Sequence, residues 1–383
     1  MEDKSEEKIN KTIEIDKNKY IVKSKIDEGT FGKVYVIEGK NDHKQYALKF
    51  LKKGDNPELE LIHFQKEIKI LKKLNDQKDN FYVPKIYCSG SVRLGVNKYE
   101  SLAFVMDYAK NGDLFQYFIN TDNGFKEKYA KYIFKRVVEG IKFCHTSSIC
   151  HLDIKIDNIL IDENYDPLIT DFGYSEEFED FEKKLKTFEG KKGTSEYMCP
   201  QMFEGENYSG IKADIFSLGV LLLALVLKKY GFMNSSEDDS MYEYIKNKQY
   251  SEFWDALCDE KKILSTELKD LYVKMVAYDL SERPTINEIL ADNWLKEIND
   301  MNETQMKKFI DKYIGYMTKL LSGNNENKTT VKQAEPEVIR EKEGFDIGPK
   351  KGISTDKTYF NDDLEPKNHK ILFISFIYIN NIN

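Results

Sequence analysis

At 383 residues, with 40% apolar and 13% aromatic side chains, the chain is long enough for two or more domain-sized units around a sizeable core. A net charge of −8, with 32% of residues charged, describes a soluble, mildly acidic protein with no basic patch suggesting nucleic acid. No apolar core follows M-E-D-K-S-E-E-K, so no signal peptide is expected; the scattered Cys88, Cys144, Cys150, Cys199 and Cys258 lack C-x-x-C spacing and read as reduced, buried thiols of a cytoplasmic protein, nuclear access left open.

Residues 1–18 are charged and unpatterned and read as an arm without fixed structure. From Tyr20 the chain alternates through Y-I-V-K-S-K-I, D-E-G-T-F-G-K-V-Y-V-I and Q-Y-A-L-K-F-L, three strands joined by turns. Between the first two lies E-G-T-F-G-K-V, whose glycines let the backbone approach phosphates without a Cβ in the way; alone, G-x-x-G in a hairpin is more often just a turn. Lys49 lies on the third strand, and a lone strand lysine is usually solvated. Here, however, the helix F-Q-K-E-I-K-I-L-K-K-L follows, with Phe64, Ile68, Leu71 and Leu74 on one stripe and Glu67 on the flank able to reach back to Lys49. K-I-Y-C-S-G and L-A-F-V-M-D-Y give two more strands, Asn111-Gly112-Asp113-Leu114 opens a helix, and Glu127 to His145 forms a long amphipathic one.

The next stretch, His151 to Gly173, reads as a polar loop, an apolar strand, a turn at Asn164 to Pro167, a second strand and Asp-Phe-Gly. Two carboxylates, a lysine and an amide are thereby fixed at the ends of one hairpin, the set that phosphoryl transfer requires. Residues 174–201 turn from acidic to basic and end in G-T-S-E-Y-M-C-P-Q. The apolar run Leu218 to Leu227 is too short to span a bilayer and reads as a buried helix. Met301 to Leu321 carries apolar residues at helical spacing among lysines, residues 322–370 are polar and expected to be disordered, and the apolar run 371–380 has no assigned role.

H-L-D-I-K-I-D-N resembles the catalytic loop H-R-D-x-K-x-x-N of protein kinases, with Leu152 for the arginine, and D-F-G their metal-binding turn, eighteen residues on from Asp153 to Asp171. E-G-T-F-G-K-V is similar to G-x-G-x-x-G-x-V, with Asp27 in place of the first glycine; Y-A-L-K is similar to V-A-I-K, and G-T-S-E-Y-M-C-P-Q to G-T-x-x-Y-M-A-P-E. D-I-F-S-L-G and D-L-S-E-R-P-T-I-N-E-I-L resemble the family's later motifs, so the resemblance spans about residues 20–295. It implies an α+β protein of two lobes: a small five-stranded β-lobe with helix C (19–107) and a larger, mainly helical lobe (110–298). An amphipathic extension (299–321) and a tail (322–383) complete the implied organisation.

The resemblance implies ATP and Mg²⁺ as cofactors and assigns roles residue by residue. Gly29, Gly32 and Val34 would cover the nucleotide, Val34, Ala47 and Leu160 would sandwich the adenine, and Met106, Asp107 and Tyr108 would form gatekeeper and hinge. Lys49 and Glu67 would form the pair that marks the active state, Asp153 would orient the hydroxyl, Lys155 would meet the γ-phosphate, and Asn158 with Asp171 would hold the metal. Thr194 is placed to bond Asp153 and Lys155; Leu71, His151 and Phe172 would pack as a column, His151 structural. Asp113 reads equally as a ribose-edge acid and as a helix N-cap. Lys155 points to the serine/threonine type, closest to calcium/calmodulin-dependent and AMP-activated kinases, with protein substrates carrying basic residues upstream to meet Asp113 and Asp157.

A pseudokinase scaffold is the rival reading; the presence of Lys49, Glu67, Asp153, Lys155, Asn158 and Asp171 weighs against it. The 301–321 helix either packs on the large lobe or receives a regulatory partner such as calmodulin, while nucleic acid and membrane are not expected as partners. Gln201, where the family has glutamate, is expected to leave its partner Arg283 partly unpaired. Leu152 cannot bind a phosphate, so little dependence on phosphorylation at Thr187 is expected.

Overall fold

The computed structural model describes residues 11–28, 32–52, 56–78, 80–92, 101–179, 184–236, 238–258 and 264–322. Gly29, the first residues of the arm, the tail from 323 and its apolar run lie outside the described residues. Strands β1 (Lys11–Ile15), β2 (Asn18–Glu28), β3 (Gly32–Gly39), β4 (Gln45–Leu51), β5 (Ile86–Val92) and β6 (Ser101–Asp107) form one antiparallel sheet in the order β1-β2-β3-β4-β6-β5.

The sheet therefore has six strands among the described residues, not the five expected, and it begins at Lys11 inside the supposed arm. Ile13 and Ile15 are 5% and 1% exposed. Two apolar residues in a five-residue strand are too few to register as alternation. The hairpin loop also lacks its usual mark. Asp16 and Lys17 both take positive φ (47° and 64°), as a two-residue primed turn requires, where Asn-Gly is the common choice. The sheet curls until Ile15 meets β5: a Cβ on Gly90 would stand 3.5 Å from Ile15 Cγ2. Val22, Ile37, Leu48 and Val105 fill the interior with the two isoleucines.

Helix α1 (Pro57–Asn75) packs on the other side of the sheet. Asn56 accepts from Leu59 N, Pro57 opens the first turn, Glu58 and Glu60 face the positive end of the helix dipole, and Lys72 and Lys73 the negative end. Its apolar stripe is buried, with the Phe64 ring 5.4 Å from that of Phe104 on β6. Packing of this stripe is what carries Glu67 inward.

The larger lobe comprises α2 (Leu114–Phe118), α3 (Glu127–Thr146), the antiparallel strand pairs β7 (Ile149–Cys150) with β10 (Glu176–Glu177) and β8 (Ile159–Ile161) with β9 (Pro167–Ile169), and helices α4 (Pro200–Glu204), α5 (Gly210–Leu227), α6 (Ser240–Lys246), α7 (Tyr250–Leu257), α8 (Thr266–Met275), α9 (Ile286–Leu290) and α10 (Lys296–Asn299). By length and composition α5 could cross a membrane, but 89% of it is buried inside the lobe, so it is the core helix. Helix α11 (Glu303–Ser322) lays Phe309, Tyr313 and Met317 into the same core. Tyr316 stacks on Tyr129 of α3 at 4.5 Å, and Tyr313 lies 4.9 Å from Tyr132. The apolar face offered to a partner in the sequence is thus covered by the lobe itself.

If β1 is part of the small-lobe core, Ile13→Ala and Ile15→Ala should each lower unfolding free energy by about 2–4 kcal/mol in urea titrations. A loss under about 0.5 kcal/mol for both would mean a detachable arm.

Candidate active site

Strand β4 and helix α1 bring Lys49 and Glu67 together at the back of a cleft between the lobes. Lys49 Nζ lies 2.7 and 2.8 Å from the two Glu67 oxygens and 3.0 Å from Asp171 Oδ1, with Lys49 and Glu67 only 8% and 1% exposed. Burial pushes the Lys49 ammonium down, but the Asp171 and Glu67 carboxylates more than reverse this and raise it above its usual range. Burial also pushes the Glu67 carboxyl up, to about 7, against the pull of Lys49. Asp171 is held below the usual carboxylate range: burial alone would raise it, and Lys49 outweighs that.

Gly32 protects this pair. A Cβ there would lie 2.9 Å from Phe50 O and 3.3 Å from Lys49 Cγ, so any larger residue would press β3 against β4, its antiparallel neighbour, and against the Lys49 side chain. The requirement arises from strand packing, whatever the loop does for phosphates.

A second group forms around Asp153, 3% exposed. Its Oδ1 accepts from Thr194 Oγ1 at 2.8 Å, its Oδ2 accepts from Asn158 Nδ2 at 2.9 Å, and Lys155 Nζ stands 3.3 Å from Oδ2. Lys155 also donates to Thr194 Oγ1 at 2.8 Å, which ties the segment after Gly193 to the loop. Gly193, at φ +86°, permits that approach: a Cβ would sit 2.4 Å from Leu152 O.

His151 is wholly buried and both ring nitrogens are committed. Nδ1 accepts from Asp153 N at 3.2 Å and Nε2 faces Thr170 O at 3.0 Å. A backbone N–H can only donate and a carbonyl only accept, so the neutral tautomer is fixed and no nitrogen remains to act as a base. The ring lies 4.9 Å from Phe172, and Leu71 shares their buried cluster.

Gly32, Val34, Ala47, Lys49, Met106, Asp107, Tyr108, Asp113, Asn158, Leu160 and Asp171 line one cleft of about 590 Å³. Glu67 lies behind Lys49, and Asp153 joins the cleft through Asn158. The Asp107 carboxylate turns to Lys85 N (2.8 Å) and the Tyr87 hydroxyl (2.7 Å), so it fixes the hinge. Asp113 caps α2 through Gln116 N at 2.8 Å, as the N-cap reading expects, and it also lines the cleft. Burial pushes its carboxyl up, and Asp157 and Asp27 add to that.

Asp214 stood in the sequence only as the first residue of D-I-F-S-L-G, with no role of its own. Fully buried, it accepts from His151 N and Leu152 N at 2.8 Å each and meets His145 Nε2 at 2.8 Å. These bonds hold Leu152 at φ +63°, an unfavourable conformation for a leucine, immediately before Asp153. The signal available was a lone acid three residues before Ser217 in an otherwise apolar run.

The sequence model described as protein kinase domain matches residues 20–295. The chain belongs to the protein kinase family. It is 30% identical over 293 residues to "CBL-interacting protein kinase 26" of Oryza sativa subsp. japonica, covering 76% of this chain and 55% of that protein. Over 281 residues it is 28% identical to "NUAK family SNF1-like kinase 1" of Mus musculus (73% and 38%), and over 271 residues 30% identical to "Serine/threonine protein kinase OSK3" of Oryza sativa subsp. indica (70% and 48%). The matches thus span between 38% and 55% of those proteins' lengths.

In this kinase domain Arg283 has more partners than the Gln201 substitution suggested. It donates to Gln201 Oε1 (3.0 Å), Ala277 O (2.8 Å) and Lys212 O (3.0 Å), and lies 5.0 Å over the Phe216 ring. No carboxylate is among these acceptors. Gln201 in turn donates to Tyr278 O at 3.1 Å. A glutamate at 201 would add an attraction of about 4 kcal/mol at an effective dielectric of about 20, against about 1–3 kcal/mol for the lost donor. Gln201→Glu should therefore raise the melting temperature by a few degrees in a calorimetric scan; a fall would show that the Tyr278 bond dominates.

Proposed function

We propose that the chain is a serine/threonine protein kinase that transfers the γ-phosphate of ATP to protein hydroxyl groups. The observation that carries this reading is that two sets of groups are assembled at once: Lys49 with Glu67 and Asp171, and Asp153 with Asn158, Lys155 and Thr194. A scaffold with no transfer activity has no need of either set, and the pairing of Lys49 with Glu67 supports the enzyme.

The donor set suits magnesium. Asn158 spends its NH₂ on Asp153 O and Oδ2, which leaves its amide oxygen as its available ligand atom, and Asp171 is kept ionised by Lys49. Among the described residues no cluster of three or more His, Cys, Asp or Glu could hold a metal alone. One carboxylate and one amide oxygen match an ion that keeps water and phosphate oxygens for most of its shell. When bound, Mg²⁺ supplies neutralisation of phosphate charge.

The chain's own residues perform the remaining work. Lys49, held straight by Glu67, presents a cation to phosphate oxygens, and Asp153 orients the attacking hydroxyl and receives its proton as that oxygen bonds to the γ-phosphorus, while the bond from this phosphorus to the β,γ-bridging oxygen breaks and ADP leaves. Lys155 keeps a positive charge beside that carboxylate, where negative charge moves during transfer. Its position two residues after Asp153 supports serine and threonine as acceptors. The acidic wall of Asp113 and Asp157 favours substrates with arginine or lysine upstream of the acceptor.

Asp153→Asn and Asp171→Asn should each lower kcat for radiolabel transfer by at least about a hundredfold with the far-ultraviolet circular dichroism unchanged. Activity within about tenfold of the parent in either variant would contradict the kinase reading. On a degenerate peptide array the parent should prefer a basic residue two or three positions before the acceptor, and Asp113→Asn with Asp157→Asn should weaken that preference. Preference for proline just after the acceptor would contradict it.

A further inference from the structure

Helix α1 carries Lys66, Lys69 and Lys73 on one face, and all three end on β10. Lys66 Nζ lies 2.7 Å from Glu176 Oε1, Lys69 Nζ 2.8 Å from Glu177 Oε1, and Lys73 Nζ 3.0 Å from Glu177 Oε2. The same Glu176 oxygen takes a second ammonium, Lys192 Nζ, at 2.7 Å. Lys192 comes from the segment that ends two residues later at Thr194. The backbone of Glu176 is fixed separately: β10 pairs with β7, Glu176 opposite Cys150, and Cys150 Sγ donates to Glu176 O at 3.3 Å.

One residue therefore touches three parts of the site, two through its carboxylate and one through its backbone. Through Lys66 it holds α1 one residue from Glu67, the partner of Lys49. Through β7 it is tied to the start of the loop that carries Asp153. Through Lys192 it holds the segment whose Thr194 bonds Asp153 and Lys155. These three parts belong to separate elements, and the two sets of catalytic groups coexist only when all three are in register.

The pairing is partly shielded from water. The side chains of Glu176, Lys66 and Lys192 are 24%, 25% and 23% exposed, whereas Lys69 is 72% exposed. The Glu176 pairs are thus screened less than ordinary surface pairs, and the Lys69 pair contributes little. Burial pushes the Glu176 carboxyl up, and Lys192 and Lys66 together more than reverse this and keep it below the usual carboxylate range. An oxygen shared by two ammonium groups is the charge pattern that a phosphate on such a segment would create. The residue before Asp153, meanwhile, is Leu152, 3% exposed and without charge.

We propose that Glu176 is a built-in anion: a positioning residue that joins α1 to the segment before Thr194 and so assembles the active site without a phosphate. The inference rests on the kinase reading above. Lys66 and Lys192 are its two partners, and Glu177 with Lys69 and Lys73 forms a weaker, more exposed copy of the same link.

The test uses the full chain, treated with phosphatase, in two readouts. Amide hydrogen exchange is followed in 57–75 and 184–197, and peptide phosphorylation is measured with kcat and KM separated. Glu176→Gln should speed exchange in both stretches and lower kcat/KM by about tenfold or more, chiefly in kcat. Glu176→Lys should be worse. Adding Lys66→Glu and Lys192→Glu to it should recover exchange and bring activity to within about threefold of the parent. Unchanged exchange in either stretch of Glu176→Gln overturns the bridge, and so does failure of the charge-swapped protein to recover exchange. A parent that transfers no phosphate overturns the kinase reading instead, and the exchange data still decide the bridge.

Discussion

A buried ammonium shared by two carboxylates from different lobes is the constraint on which the rest of this structure depends. Lys49 and Glu67 are charges removed from water, each at a cost of several kcal/mol, and a buried charge left without its partner is strongly destabilising. The arrangement persists only where the partners are within hydrogen-bonding distance, as they are at 2.7–3.0 Å. Helix α1 must therefore stay docked, because Glu67 has no other way to reach Lys49. Its apolar stripe docks it on the sheet side, and the lysines on its outer face dock it on β10.

The loop that carries Asp153 obeys a related constraint. Leu152 and Asp171 both take left-handed backbone conformations (φ 63° and 62°), each costly for a residue with a side chain. Asp214 compensates at Leu152 by accepting both neighbouring amide hydrogens. At Asp171 the carboxylate is drawn to Lys49. Strain in the backbone and charge in the core thus fall beside Asp153 and Asp171, and both are balanced by residues far away in sequence.

That distance explains what was readable in the sequence. Asp153, Lys155 and Asn158 lie within six positions of one another, and Asp171 follows across one hairpin, so local spacing was enough to group them. Glu67 was legible because the helical stripe beside it was long. Asp214 was not, since its role depends on backbone amides sixty-two and sixty-three residues away. The Glu176 bridge was invisible for the same reason: acids at 176 and 177 and lysines at 66, 69, 73 and 192 look like solvated charge until the fold brings them together. β1 was missed because two isoleucines cannot signal a strand. The extension's helix was legible as amphipathic, while the surface that covers its apolar face, Tyr129 and Tyr132 among it, lies on α3.

The central claim is that fixed charges, Lys49 with Glu67 and Glu176 with Lys66 and Lys192, hold a competent phosphotransfer site together. Its most direct measurement compares kcat/KM for peptide phosphorylation by phosphatase-treated protein, untreated protein and Thr187→Ala under saturating magnesium and ATP. The account predicts equal values within about threefold. A fall of more than about tenfold on removing phosphate, roughly 1.4 kcal/mol, would contradict it.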